Sequence, residues 1–405
     1  MRPLDGLVVL DLTRLLPGAA ATMQLANFGA EVVKIEEPER GDYGRWIPPY
    51  LNGEGAVFHM VNRGKKSVAL DLKSDSGREA FLKLAQTADV VVESFRPGTM
   101  QRLGLSYETL HASNERLIYV SITGYGQDGP WAAMAGHDIN YLALGGALEG
   151  NGACGGPPAI PGIQIADLAG GAMQAVTGVL LALAARAKTG RGQAVDVSMV
   201  DGVACLLPVA LGFHAATGEL PARGDGVLTG RYACYRVYEA ADGRWIAVGA
   251  LEPKFWQAWC EGVGREDLFE QAFDPPGSDA QRAVAEIFAQ RTRDEWDAFA
   301  AEHDCCLEPV LELEEVLQSE LVRARQMVIG LGQPGASRPI DLLGVPVKLS
   351  RTPGDPARAP GPSLGEHTDE VLAGAGFDPL QIAALHESGA VAGLSEGVLG
   401  RFMSA

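Results

Sequence analysis

The chain has 405 residues, a length that favours two domains. Its content of 47% hydrophobic and 21% charged residues is that of an ordinary globular protein. The formal net charge of −18 argues against general nucleic-acid binding and against docking on an anionic membrane, although a few local basic residues could still hold an anionic ligand.

The N-terminal segment VVLDLTRLL is apolar, but Asp11 and Arg14 interrupt it, so it lacks the continuous apolar core of a signal peptide. The six cysteines are scattered, and none forms a CxxC pair or lies at metal-ligand spacing beside a histidine. We therefore predict a cytoplasmic protein in a reducing environment that binds no metal.

Residues 1–205 alternate predicted strands with predicted helices. The strands are GLVVLDL, EVVKIEE, SVALDL, DVVVESF and RLIYVSIT, and the first two helices are PGAAATMQLANFGA and SDSGREAFLKLAQTA. Strands rich in Val and Ile that are separated by helices indicate a parallel sheet covered on both faces. We predict an open, doubly wound, Rossmann-like α/β domain here.

A long helix rich in small residues is predicted after Asp167, and its most apolar part falls short of a convincing membrane span. Residues 206–224 are predicted to be a linker. The composition then changes, and residues 225–329 are predicted to form a smaller α+β domain with a hairpin turning at Asp242-Gly243. Residues 330–405 are predicted to be a return linker and the C-terminal part of the large domain.

The segment GYGQDG, residues 124–129, fits the GxGxxG pattern of dinucleotide-binding proteins and follows a predicted strand. A nicotinamide site needs a helix that begins in that loop and an acidic residue about twenty residues later. Pro130 follows instead, and no strand ending in Asp or Glu appears at that distance. The glycines are better explained by a tight backbone turn.

Basic residues cluster in VNRGKKSVALDLK, where Lys65 and Lys66 stand between Arg63 and Lys73. They could bind a phosphorylated ligand, or they could form a solvated loop. Arg96 stands at the end of a predicted strand, the edge at which open α/β sheets bind ligands. Arg102 lies in the next turn.

Two titratable residues stand near glycine-rich segments. His137, in AGHDINYLAL, is either a satisfied core histidine beside an Asx turn or a proton-handling group. Asp167 is either the cap of the long helix or a functional carboxylate that the small residues of ADLAGGA leave open to a substrate. Together the two side chains could present an acid and a base to one carbon.

The sequence resembles the class III CoA-transferase family, and in particular its α-methylacyl-CoA racemase branch. The motifs that carry the resemblance span nearly the whole chain and are LDGLVVLDLTRLLPG, FGAEVVKIEEP, NRGKKSVALDLK, RPGTMQRLGL, ITGYGQDGP, TGRGQAVDVSMVDG and LGEHTDEVL. AGHDINYLAL and VGALEPKFW are similar to the racemase branch specifically.

The resemblance implies that His137 and Asp167 are the opposed acid/base groups of a racemase, and that Glu252 pairs with His137. It also implies that Asp167 occupies the place of the nucleophile of the transferases. The residues that it implies for the substrate and its CoA part are Arg40, Lys65, Lys66, Leu70, Phe95, Arg96, Arg102, Gly136, Asp138 and Asn140.

The family fold implied is a Rossmann-like large domain built from both chain ends, a small domain, and two chains interlocked as a homodimer. CoA belongs to the substrate, so no further cofactor is expected. The chain departs from the family where Glu36-Glu37-Pro38 replaces an expected arginine beside the adenine, with Arg40 slightly later. The sequence assigns no role to the additional length of the chain.

The resemblance favours racemisation of 2-methylacyl-CoA thioesters by proton transfer through an enolate. One alternative is CoA transfer between carboxylates, in which Asp167 forms a covalent anhydride and His137 is not needed. A second alternative is an acyl-CoA-binding protein without catalysis, for which the His, Asp and Glu would have no purpose. The acyl group is not evident from the sequence.

Overall fold

The computed structural model describes residues 1–51, 53–332 and 338–394. It divides into two compact units. Unit 1 contains residues 1–145, residues 163–206 and the chain from residue 320 onward, and unit 2 contains residues 146–162 and 207–319. Most of both predicted parts of the large domain lies in unit 1, and so do residues 320–329 of the predicted small domain. Residues 146–162, however, belong to unit 2.

The described residues form fourteen strands. In chain order they are β1 (Val8–Asp11), β2 (Glu31–Glu36), β3 (Tyr50–Leu51), β4 (Glu54–Gly55), β5 (Lys65–Leu70), β6 (Val90–Glu93), β7 (Ile118–Thr123), β8 (Ala194–Ser198), β9 (Tyr235–Glu239), β10 (Trp245–Gly249), β11 (Leu307–Pro309), β12 (Val328–Leu331), β13 (Ile340–Leu343) and β14 (Val391–Ala392).

The α-helices of the described residues are α1 (Pro17–Asn27), α2 (Ala56–Val61), α3 (Asp75–Ala85), α4 (Thr99–Arg102), α5 (Tyr107–Ser113), α6 (Asp138–Leu144), α7 (Ala147–Gly150), α8 (Met173–Thr189), α9 (Met199–Ala204), α10 (Pro208–Thr217), α11 (Pro253–Gly262), α12 (Asp279–Phe288), α13 (Arg293–His303), α14 (Leu313–Gln318), α15 (Glu320–Ala324), α16 (Thr368–Gly374) and α17 (Pro379–Glu387). Tyr43–Arg45 and Glu266–Gln271 are 3₁₀ turns, and Ala166–Ala172 is π-helical.

Unit 1 is built on a seven-stranded sheet in the order β14-β5-β2-β1-β6-β7-β8. All its pairs are parallel except β14 with β5. The chain builds outward in one direction from β1 through β2 and β5, and in the other through β6, β7 and β8. The predicted Rossmann-like open sheet is therefore confirmed, and its strand order changes direction between β1 and β6.

Both faces of this sheet are buried because alternate strand residues point to opposite sides. Leu10 and Val91 belong to the apolar cluster on the side of α3, α16 and α17. Val9 and Val90 belong to the cluster on the side of α1 and α8. Continuous Val-rich strands are typical of parallel sheets with helices on both faces.

The π-helical segment and α8 form one helix, Ala166–Thr189, whose most apolar window has a mean hydropathy of 1.7. By length and composition alone this helix could cross a membrane, but one such helix is weak evidence for a membrane span. Core helices of sheet proteins meet the same criterion. This helix packs on β7, β8 and α1, so its place in the structure is that of a helix covering the sheet.

Unit 2 contains the antiparallel sheet β11-β10-β9, and β9 and β10 form the predicted hairpin around Asp242-Gly243. Gly243 has a φ of +74°, a conformation that glycine adopts without steric cost. Its core contains three buried tryptophans: Trp259 and Trp296 pack against Phe288, and Trp256 stacks on Trp259. The predicted linker 206–224 contains helix α10.

Several charged side chains of unit 1 are buried and paired, and we call them the ion network: Asp11, Lys34, Glu36, Asp42, Arg45, Glu54 and Lys65. Lys65 Nζ lies 2.9 Å from Asp11 Oδ2 and also donates to Ala19 O and Asn62 Oδ1. Burial lowers the pKa of Lys65 to about 8, and Asp11 opposes this shift. Although burial raises the pKa of Asp11, Lys65 and Lys34 outweigh it and hold that pKa below its usual range.

The interior of unit 1 corrects two sequence-based predictions. Lys65 does not present its ammonium group to a phosphate, because three acceptors inside unit 1 already bind it. Leu70 is not a ligand contact either, since its side chain is packed in the apolar core. Glu36, which stands where an adenine contact was expected, instead accepts hydrogen bonds from Arg45 at 2.7 Å. These residues stabilise the fold.

Replacing Lys65 by Met should destabilise the protein by about 3–5 kcal/mol, because it leaves Asp11 buried without its cation. The matched control is Lys73→Met, on an exposed lysine of the same segment, which should change stability by less than about 0.5 kcal/mol. Urea unfolding at neutral pH measures both. Equal stability of the two variants would contradict a structural role for Lys65.

Candidate active site

A cavity of about 540 Å³ lies in unit 1 at the carboxyl ends of β1, β6 and β7. This is the edge at which open α/β sheets bind ligands, next to the point where the strand order changes direction. The residues that line it include Arg14, Leu15, Ser94, Phe95, Arg96, Thr123, Gly124, Gly136, His137, Asn140, Tyr141, Asp167 and Met199. The sequence-predicted pair His137 and Asp167 therefore shares one cavity.

The backbone at His137 is fixed from both sides. Its N–H donates to Asn140 Oδ1 at 3.0 Å, so Asn140 caps the start of α6. The Tyr141 hydroxyl donates to Gly136 O. A Cβ on Gly136 would lie 2.6 Å from the Tyr141 ring, which explains why this position is glycine. His137 is thus presented at a helix N-terminus on a rigid loop.

Asp138 connects this loop to Asp167. Its Oδ1 accepts the Asp167 N–H at 3.0 Å. Asp167 lies in the first turn of the π-helical segment, a helix type that is frequent at functional sites. One carboxylate thus joins the element that carries His137 to the element that carries Asp167. The side chains of Asp138 and Asn140 thus accept hydrogen bonds from the backbone of this site. Their contacts with substrate stay predictions.

The carboxyl group of Asp167 is electrostatically unusual. Burial raises its pKa to about 6, and the negative charge of Asp138 adds to the effect. Burial also raises the pKa of Tyr141 to about 12. A carboxyl group with a pKa near 6 is present in both protonation states near neutral pH. It can therefore accept or donate a proton there.

The small residues after Asp167 serve helix packing. A Cβ on Gly170 would lie 2.7 Å from Met199 O, and a Cβ on Gly202 would lie 2.3 Å from Gly170 O. The π-helical segment and α9 therefore touch backbone to backbone. Gly170 and Gly202 thus have a packing role, and the expectation that the small residues of ADLAGGA let a substrate approach Asp167 stays a prediction.

The predicted binding residues fall into two groups. Phe95 and Arg96 line the cavity, as do Gly136 and Asn140. The remaining basic residues are not among its lining residues. Arg40 and Arg102 are exposed. The Lys66 ammonium group pairs with two carboxylates, Glu31 at 2.7 Å and Glu370 at 2.9 Å. Their proposed contacts with CoA remain predictions from the resemblance.

Glu252 lies in unit 2, where it is exposed and immediately precedes α11. Its pairing with His137 stays a prediction.

Sequence reasoning missed two residues that shape the cavity. Arg14 lies three residues after the end of β1 and lines the cavity, and its signal was its place just beyond the carboxyl end of a strand. Glu93 ends β6, and its Oε2 accepts the Phe95 N–H at 2.7 Å. Burial raises the pKa of Glu93 to about 7. Glu93 thus orients the loop that carries Phe95 and Arg96.

Comparison with known proteins gives consistent results. The profile of CoA-transferase family III matches residues 4–368. The alpha-methylacyl-CoA racemase of Mus musculus is 39% identical over 386 residues, which cover 95% of this chain and 96% of the relative. The succinyl-CoA:mesaconate CoA-transferase of Haloarcula hispanica is 37% identical over 395 residues, which cover 93% and 97%. Both relatives match nearly from end to end.

The fold is also found among solved structures. The crystal structure of a CAIB/BAIF family protein from Brucella suis superposes with a TM-score of 0.81 at 30% sequence identity. The match covers 92% of this chain and 99% of that chain.

Replacing Asp138 by Asn should lower the pKa of Asp167, because it removes the adjacent negative charge while the amide oxygen can still accept the Asp167 N–H. A ¹³C NMR titration of the aspartate carboxyl groups measures the shift, with Asp167→Asn assigning the signal. The control is Asp75→Asn, whose carboxylate is exposed on α3 and outside the cavity lining. An unchanged Asp167 titration in the Asp138 variant would contradict the electrostatic coupling.

Proposed function

The chain belongs to CoA-transferase family III, and within that family we propose that it racemises 2-methylacyl-CoA thioesters. In this reaction a proton leaves the α-carbon on one face and a proton is returned on the other face. The thioester carbonyl takes up the negative charge as an enolate. His137 and Asp167 are the proposed opposed acid/base groups.

The observation that carries this proposal is the shared cavity of His137 and Asp167, with the Asp167 pKa near 6. Racemisation needs two groups that each act as base in one direction and as acid in the other. The imidazole of His137 and the carboxyl group of Asp167 are both side chains that can accept a proton in one direction and donate it in the other.

Other parts of the machinery are assigned by the resemblance. Glu252 is proposed to orient the His137 imidazole and to stabilise its protonated form. Phe95 and Arg96 are proposed to contact the CoA part of the substrate, and Arg102 the region near the thioester. CoA arrives with the substrate, and we propose that the reaction needs no further cofactor.

CoA transfer between carboxylates is the second candidate, and the similarity to a CoA-transferase over 93% of this chain favours it. In that reaction the Asp167 carboxylate attacks the thioester carbonyl, the CoA thiolate leaves, and an aspartyl anhydride forms. Asp167 would then need to be ionised when it attacks. His137 has no required role in this chemistry, so the two candidates differ in how they depend on it.

Incubation of one enantiomer of a 2-methylacyl-CoA in D₂O should exchange the α-hydrogen and scramble the stereocentre without any added carboxylate. His137→Ala and Asp167→Ala should each lower racemisation by roughly 10²–10⁴-fold, since each removes one acid/base group. Mass spectrometry of the recovered thioester and chiral chromatography measure exchange and inversion separately. Either single variant retains a base on one face of the α-carbon, so it can still exchange the α-hydrogen on that face without inverting the stereocentre.

Two results distinguish the candidates, and Glu252→Gln separately tests the proposed pairing with His137. Acceptor-dependent CoA transfer without α-deuterium, with a mild effect of His137→Ala and an acyl adduct on Asp167 trapped by hydroxylamine, would reject the racemase proposal. Glu252→Gln should slow racemisation less than His137→Ala, because the imidazole remains. Binding of the thioester without exchange or transfer would indicate a binding protein.

We also propose that the chain forms an interlocked homodimer. Helix α10 supports this: it exposes Val209, Leu211 and Phe213, and none of its residues is buried within the chain. Light scattering at low micromolar concentration should show a dimer, and Leu211→Asp should weaken it because the substitution places a charge on an apolar contact. A monomer with full activity would contradict the proposal.

A further inference from the structure

Arg14 is a half-buried arginine at the carboxyl end of β1, and its side chain lines the candidate site. Its guanidinium carbon lies 4.9 Å from the centre of the Tyr43 ring and 5.2 Å from the centre of the Phe95 ring. Nη1 also donates to the Tyr43 hydroxyl oxygen at 3.0 Å. Two aromatic rings therefore hold this cation in one place.

Among the residues that the structure describes, no carboxylate forms an ion pair with Arg14 or with Arg96, the second arginine of the cavity. This is unexpected in a chain with a net charge of −18. Lys34 and Arg45, by contrast, pair with buried carboxylates at 2.7 Å. The cavity therefore contains two guanidinium groups that form no ion pair within the described part of the chain.

The ion network fixes the position of Arg14. Lys34 Nζ donates to Thr13 O at 2.8 Å, on one side of Arg14. On the other side, Leu15 donates its N–H to Asp42 Oδ1 at 2.9 Å. The same oxygen caps the turn that begins at Tyr43, so Asp42 brings the aromatic partner to the arginine.

The backbone beside Arg14 is strained. Leu15 has a φ of +62°, in the left-handed region that a leucine rarely adopts. Strained conformations persist where the surroundings over-determine them, and they cluster at functional sites. Here the two hydrogen bonds to the ion network hold the loop, and the result is an arginine side chain directed to the cavity.

We infer that Arg14 binds an anionic oxygen, of a phosphate or of a carboxylate, in the substrate of this site. The inference rests on the proposed acyl-CoA substrate, which carries phosphates and in some cases a carboxylate on its acyl group. A guanidinium has five N–H donors in a planar fork, and in the described structure Arg14 uses one of them on a side chain. The other N–H donors of the fork have no hydrogen bond to a side chain of the described residues, so they can serve a ligand.

Calorimetric titration with four ligands tests the inference: CoA, pantetheine, succinyl-pantetheine and butyryl-pantetheine. Pantetheine lacks the phosphates of CoA, and the two thioesters differ by a terminal carboxylate. Arg14→Gln should weaken binding of the ligand that carries the recognised anion roughly tenfold or more, because it removes a charge-assisted hydrogen bond. Arg14→Lys should restore part of the loss, since it keeps the charge without the fork.

The matched control is Arg191→Gln, an exposed arginine of unit 1 outside the cavity lining, which should bind all four ligands as the unaltered protein does. A loss confined to CoA identifies a phosphate, and a loss confined to succinyl-pantetheine identifies a carboxylate. Both support the inference.

Equal binding by Arg14→Gln and the unaltered protein, or an equal loss for all four ligands, would overturn the anion-binding role alone. Failure of the unaltered protein to bind any of the four would overturn the acyl-CoA proposal and this inference with it.

Discussion

The ion pair between Asp11 and Lys65 is the interaction on which unit 1 depends. Asp11 ends β1 and Lys65 begins β5, and β2 lies between these strands in the sheet. Two charges buried in a sheet are costly unless each is paired and hydrogen-bonded. Thr13 and Thr22 donate to the carboxylate, and Asn62 and a backbone carbonyl accept from the ammonium. Because all of these hydrogen bonds must form together, the three strands and their flanking loops have little freedom in how they are arranged.

The same constraint reaches the candidate site. Parallel strands end at one edge of the sheet, so the loops after β1, β6 and β7 meet there. Buried charges or carboxylates anchor the first two of these loops: Lys34 and Asp42 hold the loop after β1, and Glu93 holds the loop after β6. His137 stands at the start of α6 and Asp167 in the π-helical segment, and the Asp138 carboxylate joins these two elements by accepting the Asp167 N–H. Such preorganisation would hold the proposed acid/base pair in place.

The strand-helix alternation was predictable because apolar Val-rich runs and turn residues are local signals. His137 and Asp167 could be singled out because charged residues beside glycines are uncommon in a core. The buried ion pair of Lys65 could not be predicted. A cluster of basic residues gives the same sequence pattern whether a carboxylate partner stands 54 positions away or is absent. The role of Gly170 was equally hidden, because the backbone that it touches belongs to a helix about thirty residues later. Contacts between distant segments decide these cases, and one sequence does not display them.

The path of the chain between the two units has a consequence for any attempt to separate them. The chain passes from one unit to the other after Gly145, Gly162, Leu206 and Ser319. A protease that cuts any one of these crossings divides the chain into two polypeptides, and both of them contain part of unit 1. The non-covalent contacts within unit 1 then hold the two fragments together. Neither unit corresponds to a continuous stretch of gene, and for that reason neither can be exchanged between proteins by a single recombination event.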